Sequence, residues 1–170
     1  TLFYGVDDAL SPEYLARLDP LYEPGLAAVR AVLADRAGRF SSEQPLRVLE
    51  IGARGGLATR EIVEGLGSAV HYTVTDTSRL FLDRARQVLG PVCGPILSFA
   101  LLDPDHDPVM QGFSLHGFDV IVSCNALHRS RNIPVLLKQM SRLLMPGGLV
   151  LAPEITRGSP LQAVTVALLE

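Results

Sequence analysis

The chain has 170 residues, enough for one folded domain, and 48% of them are hydrophobic, which excludes a disordered segment. The net charge is −3 and the basic residues form no stripe, so we expect no nucleic-acid partner. No apolar stretch approaches the roughly 20 residues that span a bilayer, and Asp7 and Asp8 stand where a signal peptide would have basic and apolar residues. The two cysteines, Cys93 and Cys124, form no motif. We therefore expect a cytoplasmic protein without membrane contact.

Two helices are predicted in the first forty residues. The pair Ser11-Pro12 is typical of a helix start, because proline suits the first helical position. Apolar residues then recur at helical spacing from Gly25 to Arg36. We interpret residues 1–40 as a helical cap that precedes the core of a single domain spanning 1–170.

From Leu46 onwards, short β-rich segments alternate with helical ones. The strands are predicted at Leu46–Ile51, Val70–Thr75, Ile96–Leu102, Phe118–Cys124 and Leu149–Pro153. The helices are predicted at Leu57–Leu66, Ser78–Leu89, Ile133–Leu144 and Leu161–Leu169. This alternation predicts an α/β fold with a doubly wound, Rossmann-like, mostly parallel sheet covered on both faces. In such sheets, ligands bind beyond the carboxyl ends of the strands.

A glycine-rich turn, residues 52–56, follows the first strand and opens a helix. Gly52 can adopt backbone angles closed to other residues, so the turn can bring backbone N–H groups to an anionic ligand group. Asp76 ends the second strand, where a carboxylate can accept both hydroxyls of a ribose. Asp103 ends the third strand and can help to place an adenine, although a plain turn aspartate is the alternative interpretation.

At this point the sequence resembles a known family. The segments that carry the resemblance are LEIGARGGLAT, YTVTDTS, LLDPD, FDVIVSCNALH and LLMPGGLVLAPEIT. They are similar to the successive motifs of class I S-adenosylmethionine (SAM)-dependent methyltransferases, over a nucleotide-binding core at residues 46–156. The later segments look like methyltransferase domains embedded in polyketide synthases and nonribosomal peptide synthetases. Both chain ends look more like the peptide-synthetase branch, which includes siderophore synthetases.

The resemblance implies a class I methyltransferase fold and a set of cofactor-binding residues. These are Glu50, Gly52, Arg54, Gly56, Asp76, Leu102, Asp103, Cys124 and Asn125. The residues from 50 to 56 would shape the pocket for the methionine part of SAM, and Asp76 would hold the ribose. Leu102 and Asp103 would flank the adenine, with Cys124 and Asn125 beneath the sulfonium. No metal is expected.

A catalytic pair is also implied. In related carbon-methylating domains a histidine and a glutamate form a base dyad, and His128 and Glu154 occupy those positions. Histidine titrates near neutrality, and a neighbouring carboxylate orients its ring. The alternative is a loop histidine and a loop carboxylate. Arg129 and Arg131 either face the phosphate of a phosphopantetheine arm or are solvated loop charges.

Two departures from the family pattern affect the prediction. Arg54 stands where the family has glycine. Its side chain either blocks the cofactor, is accommodated by a shift of the loop at Gly55, or pairs with the SAM carboxylate. The family fold also continues beyond a fifth strand to an antiparallel pair. We therefore expect a sheet truncated after the fifth strand, in a piece excised from a larger multidomain synthase.

The leading hypothesis is an enzyme, a methyltransferase that moves a methyl group from SAM to a carrier-bound acyl or peptidyl intermediate. The acceptor atom would be carbon or nitrogen, the product S-adenosylhomocysteine (SAH), and the partners a carrier protein and neighbouring synthase domains. One alternative is a methyltransferase-like epimerase that inverts an aminoacyl α-carbon without a methyl donor. Another is a non-catalytic scaffold inside a synthase.

Overall fold

A computed structural model describes residues 22–154, which form helices and strands around one sheet. The helices are α1 Tyr22–Ala37, α2 Leu57–Val63, α3 Arg79–Cys93 and α4 Ile133–Leu143. The strands are β1 Leu46–Ile51, β2 Val70–Asp76, β3 Leu97–Leu101, β4 Phe118–Val122 and β5 Leu144–Leu151. The helices predicted at Ser11 and at Leu161–Leu169 lie outside these residues. Within 22–154, no helix has the length and hydrophobicity needed to cross a membrane.

The sheet has the order β3-β2-β1-β4-β5, and every neighbouring pair of strands is parallel. The chain first winds outwards from β1 to β3 and then returns to the other side of β1 with β4. This reversal leaves a crevice beyond the carboxyl ends of β1 and β4, which is where such sheets bind ligands. The structure therefore confirms the predicted doubly wound α/β fold.

Alternate side chains of β1 enter two different apolar layers, as the two-residue period of a strand requires. Val48 packs with the layer beneath α1, α2 and α3, whereas Leu49 and Ile51 pack with the layer beneath α4. Glu50 lies two residues after Val48 and therefore on the same face. This register brings a carboxylate into a layer that is otherwise almost entirely apolar.

Two helices end at least three residues away from the end predicted from the sequence. α2 stops at Val63 instead of Leu66, because Gly65 adopts a left-handed φ of 85°, which ends a helix. α3 continues past Leu89 and through Pro91 to Cys93. A proline in the last turn removes only one backbone hydrogen bond, and the extra turn buries Cys93 in the core.

β5 also starts earlier than predicted. The sequence Pro146-Gly147-Gly148 predicts a break before a strand at Leu149, but Leu144 already pairs with Phe118. Leu149 then pairs with Val120, so residues 145–148 bulge out of the ladder. The strand pairing continues on both sides of the bulge, and the end of β5 still reaches the ligand crevice.

Candidate functional site

Among residues 22–154, two cavities lie in the crevice beyond the carboxyl ends of the strands. The larger has a volume of about 160 Å³ and is lined by Ile51, Gly52, Asp76, Thr77, Leu102, Asp103, Pro104, Asp105, Ala126, Arg129 and Ser130. The smaller has a volume of about 20 Å³ and is lined by Tyr22, Glu50, Gly52, Ala53, Arg54, Ala58, Cys124 and Asn125. Gly52 borders both, so the turn after β1 lies where the two cavities meet.

The structure thus divides the predicted cofactor residues into two groups. Those predicted to face adenosine, Asp76, Leu102 and Asp103, line the larger cavity. Those predicted to face methionine or the sulfonium line the smaller cavity, and they are Glu50, Gly52, Arg54, Cys124 and Asn125. Gly56 lines neither cavity. A Cβ atom on Gly56 would lie 3.1 Å from the Cα of Ala85, so this glycine lets α2 pack closely against α3.

Asp76 connects the turns that follow β1 and β2. Its side chain is only 3% exposed. Its Oδ2 accepts a hydrogen bond from the backbone N–H of Arg54 at 2.9 Å, and its Oδ1 accepts one from the backbone N–H of Ser78 at 2.9 Å. A carboxylate has about four acceptor positions, so Asp76 retains capacity for ligand hydroxyl groups at the wall of the larger cavity.

Arg54 has a left-handed backbone with φ of 53°. This conformation costs a residue with a side chain roughly 1–2 kcal/mol and is free of that penalty in glycine. The geometry therefore accounts for the glycine that the family has at this position. Arg54 borders the smaller cavity and is not among the residues that line the larger one. Its side chain therefore leaves the Asp76 wall accessible.

Gly52 is the glycine that the site needs most. Its φ is 79°, and a Cβ atom there would lie 2.7 Å from Nη2 of Arg129 and 2.9 Å from the Cβ of Ala126. The same Nη2 of Arg129 donates to the carbonyl oxygen of Gly52 at 3.1 Å. The turn after β1 therefore touches the turn after β4 at a point where no side chain fits.

We expect Gly52→Ala to lower the free energy of unfolding by roughly 1–2 kcal/mol, because it adds left-handed strain and a steric clash. Gly55→Ala is the matched control, since no atom lies within 4 Å of the Cβ that it would add. We expect that control to stay within about 0.5 kcal/mol of the parent. Urea unfolding measures both, and equal losses in the two variants would contradict the assignment.

Glu50 is a buried acid at the floor of the smaller cavity. It is 1% exposed, and its Oε2 accepts a hydrogen bond from the Thr59 hydroxyl at 2.8 Å. Loss of water around the carboxylate raises the pKa of Glu50 to about 7, although the Thr59 hydrogen bond opposes this shift. Burial also raises the pKa of the neighbouring Cys124 thiol, which therefore stays protonated at neutral pH.

The structure brings His128 and Glu154 together. His128 Nδ1 lies 2.9 Å from Glu154 Oε2, and Glu154 Oε1 accepts the backbone N–H groups of Ala126 and Leu127, each at 2.8 Å. A carboxylate accepts hydrogen bonds, so this contact favours the histidine tautomer that has its proton on Nδ1 and its lone pair on Nε2. We call residues 126–131 the histidine turn. Ala126, Arg129 and Ser130 of this turn line the larger cavity.

Several residues at the site were not predicted from the sequence. Tyr22 of α1 lines the smaller cavity, and Thr59 of α2 donates a hydrogen bond to Glu50. Ser130 donates a hydrogen bond to Asp105, and both residues line the larger cavity. Asp105 lies within the motif LLDPD, but no local pattern predicts which carboxylate of that loop contacts the turn after β4. Of the two arginines after His128, Arg129 lies against the turn after β1 and is not merely a solvated loop charge.

Comparisons with known proteins identify the family of the chain. The model of the family described as "Methyltransferase domain" matches residues 49–150. A reducing polyketide synthase, BOA6 of Botryotinia fuckeliana, is 38% identical over 146 residues, which are 82% of this chain and 6% of that protein. The chain therefore spans only a small part of this relative.

Solved structures are similar as well. The DszA carbon methyltransferase is 27% identical with a TM-score of 0.78, and the match covers 94% of this chain and 43% of the DszA chain. The trans-methyltransferase CalH in complex with SAH is 28% identical with a TM-score of 0.76, and the match covers 95% of this chain and 45% of the CalH chain. The chain is thus similar to part of a reducing polyketide synthase and to a carbon methyltransferase, and it belongs to the methyltransferase domain family.

Proposed function

We propose that this domain transfers a methyl group from SAM to a carbon atom of a carrier-bound acyl intermediate. The observation that carries the proposal is the pair of His128 and Glu154, fixed beside a cavity whose wall suits an adenosine. The similarity to a carbon methyltransferase and to a complex with SAH supports both the acceptor atom and the cofactor. The peptide-synthetase and siderophore settings remain predictions, since BOA6 is a polyketide synthase.

The residues present fit SAM. Gly52 lies where the two cavities meet, and Asp76 presents a buried carboxylate to the larger cavity. Leu102, 2% exposed, supplies an apolar wall for a flat base. Glu50 borders the smaller cavity, where its negative form would favour a cationic group. When bound, SAM supplies a methyl group already activated for transfer.

The chain itself has to supply the base. In the proposed reaction, Nε2 of His128 accepts a proton from the carbon beside the thioester carbonyl, which leaves that carbon nucleophilic. Glu154 then faces an imidazolium and stabilises its charge. Because two backbone N–H groups hold the Glu154 carboxylate, the ring is already oriented before the acceptor binds.

The test is to incubate the full-length protein that carries this domain with SAM and a carrier-bound β-ketoacyl thioester, and to measure the mass of the acyl group. We expect one methyl group in place of one hydrogen, and SAH as the coproduct. Calorimetry with SAH should give a saturable binding signal. If the acyl group gains no methyl group and SAH gives no binding signal, the proposal is overturned and a non-catalytic scaffold is favoured.

A second arm separates methyl transfer from epimerisation. A carrier-bound aminoacyl thioester is incubated in deuterated water without SAM. Under the proposal, its α-carbon gains no more deuterium than in a control without protein. Enzyme-dependent deuterium uptake without SAM, together with no methylation, would favour the epimerase instead.

A further inference from the structure

The loop after β3 is closed on itself. We call residues 103–107 the adenosine loop, because Asp103, Pro104 and Asp105 line the larger cavity. The Gln111 side chain accepts from the backbone N–H of Asp103 at 2.8 Å and donates to its carbonyl oxygen at 2.9 Å. The backbone N–H of Asp105 also donates to Oδ1 of Asp103 at 3.0 Å. These bonds give the loop a defined shape and aim the side chain of Asp105.

Asp105 reaches across the cavity to the histidine turn. Its Oδ1 accepts the Ser130 hydroxyl at 2.6 Å, and both carboxylate oxygens accept the backbone N–H of Arg131, at 3.2 and 3.3 Å. The Ser130 hydrogen bond lowers the pKa of Asp105, so the group is a carboxylate at neutral pH. Hydrogen bonds to an ionised acceptor are stronger than those between neutral groups.

The histidine turn needs such support. Its helical part, Leu127–Arg129, is a single 3₁₀ turn, which holds little shape by itself. Within the described residues, side-chain bonds hold it from three directions. Glu154 binds its first residues, Arg129 reaches Gly52, and Asp105 binds its last residues. Only the contact through Asp105 comes from the loop that lines the adenosine side of the cavity.

We propose that Asp105 is a positioning residue that couples the adenosine loop to the histidine turn, so that filling the larger cavity sets the position of His128. This inference rests on the proposed function. A cofactor that packs against the adenosine loop fixes Asp105, and Asp105 fixes Ser130 and Arg131. The methyl donor therefore restricts the motion of a turn that Glu154 and Asp105 already hold in its absence.

The coupling predicts a split between turnover and binding. Asp105→Ala should lower kcat roughly tenfold to a hundredfold, because a small misplacement of a catalytic group has effects of that size. The affinity for SAH should stay near that of the parent. Ser130→Ala should show the same loss, Ser130→Thr should restore most of kcat because it keeps the hydroxyl, and the double variant should be no worse than either single one.

Hydrogen–deuterium exchange of the full-length protein supplies the second readout. In the parent, SAH should slow exchange in both the adenosine loop and the histidine turn. In Asp105→Ala, SAH should still protect the loop but no longer the turn. Asp83→Ala is the control, since Asp83 is an exposed carboxylate of α3 that pairs with Arg86 and lines neither cavity. It should keep both the kcat of the parent and the protection of the turn.

The outcomes that overturn the inference differ from those that overturn the proposed function. If the parent binds SAH but the effects of Asp105→Ala and Ser130→Ala simply add, the two residues do not act as one link. If Asp105→Ala loses SAH affinity and keeps kcat, Asp105 is a cofactor contact. If the parent itself neither binds SAH nor methylates, the proposed function falls, and the coupling falls with it.

Discussion

His128→Gln should reduce methyl transfer by roughly 10²–10⁴-fold, the usual contribution of a general base. Glutamine retains polarity and approximate size but has no nitrogen lone pair that accepts a proton near neutral pH. SAH affinity should stay near that of the parent, because His128 lines neither cavity. Turnover of a carrier-bound β-ketoacyl thioester and calorimetric titration with SAH measure the two quantities on the same preparation.

Two variants of Glu154 separate orientation of the histidine from support of its turn. In Glu154→Gln, the side-chain oxygen can still accept the N–H groups of Ala126 and Leu127, but the amide nitrogen would donate to Nδ1 of His128. The ring would then carry its proton on Nε2 and lose its base. We expect a loss of turnover of the same order as for His128→Gln, with little change in stability.

Glu154→Ala should remove turnover and also destabilise the turn, since two backbone N–H groups lose their acceptor. For the substitution His128→Gln, the matched control is His71→Gln, because His71 is an exposed histidine on β2 away from the crevice. It should leave turnover and SAH affinity unchanged. Turnover of Glu154→Gln at the parent rate would show that tautomer control has no part in the reaction.

The sequence was most informative where a residue's role depends on its place in a strand. Asp76 and Asp103 are predicted to meet at one edge because parallel strands end at the same edge of a sheet, and both line the larger cavity. The turn at Gly52 is equally predictable, because a glycine directly after a short apolar strand is typical of a tight turn into the next helix.

Contacts between segments that are distant in the chain could not be predicted from the sequence. The hydrogen bond from Ser130 to Asp105 joins residues 25 positions apart, and neither position carries a local pattern that predicts it. The bulge before Leu149 was missed for a different reason. The pair of Leu144 and Phe118 forms through register with β4, whereas proline and glycine locally favour a turn. Arg54 is intermediate, because the resemblance shows that glycine is usual there, but only the φ of 53° explains why.

Raising the pH from about 5 to about 8 should lower the stability of the parent by roughly 2–3 kcal/mol relative to Glu50→Gln. Glu50 has an ordinary pKa of 4.5 in the unfolded chain and of about 7 when folded. Below 4.5 both states hold the proton and the contribution to stability is complete. Between the two pKa values only the folded state keeps it, so stability falls as pH rises and levels off above 7.

The groups around Glu50 do not obscure this effect. Burial raises the pKa values of Tyr72 and Cys124, so both stay neutral over the range. Asp76 lies near enough to add to the rise in the pKa of Glu50, and its charge is common to the parent and the variant. Glutamine at position 50 can still accept the Thr59 hydroxyl but has no proton to lose.

Urea unfolding at about pH 5 and about pH 8 measures the difference, with Glu43→Gln as the control at an exposed position. We expect the parent and Glu43→Gln to lose stability together, while Glu50→Gln loses roughly 2–3 kcal/mol less. The variant should therefore be the most stable of the three at the higher pH. Parallel losses in all three proteins would mean that Glu50 is solvated in the folded state, and the floor of the smaller cavity would then be open to water.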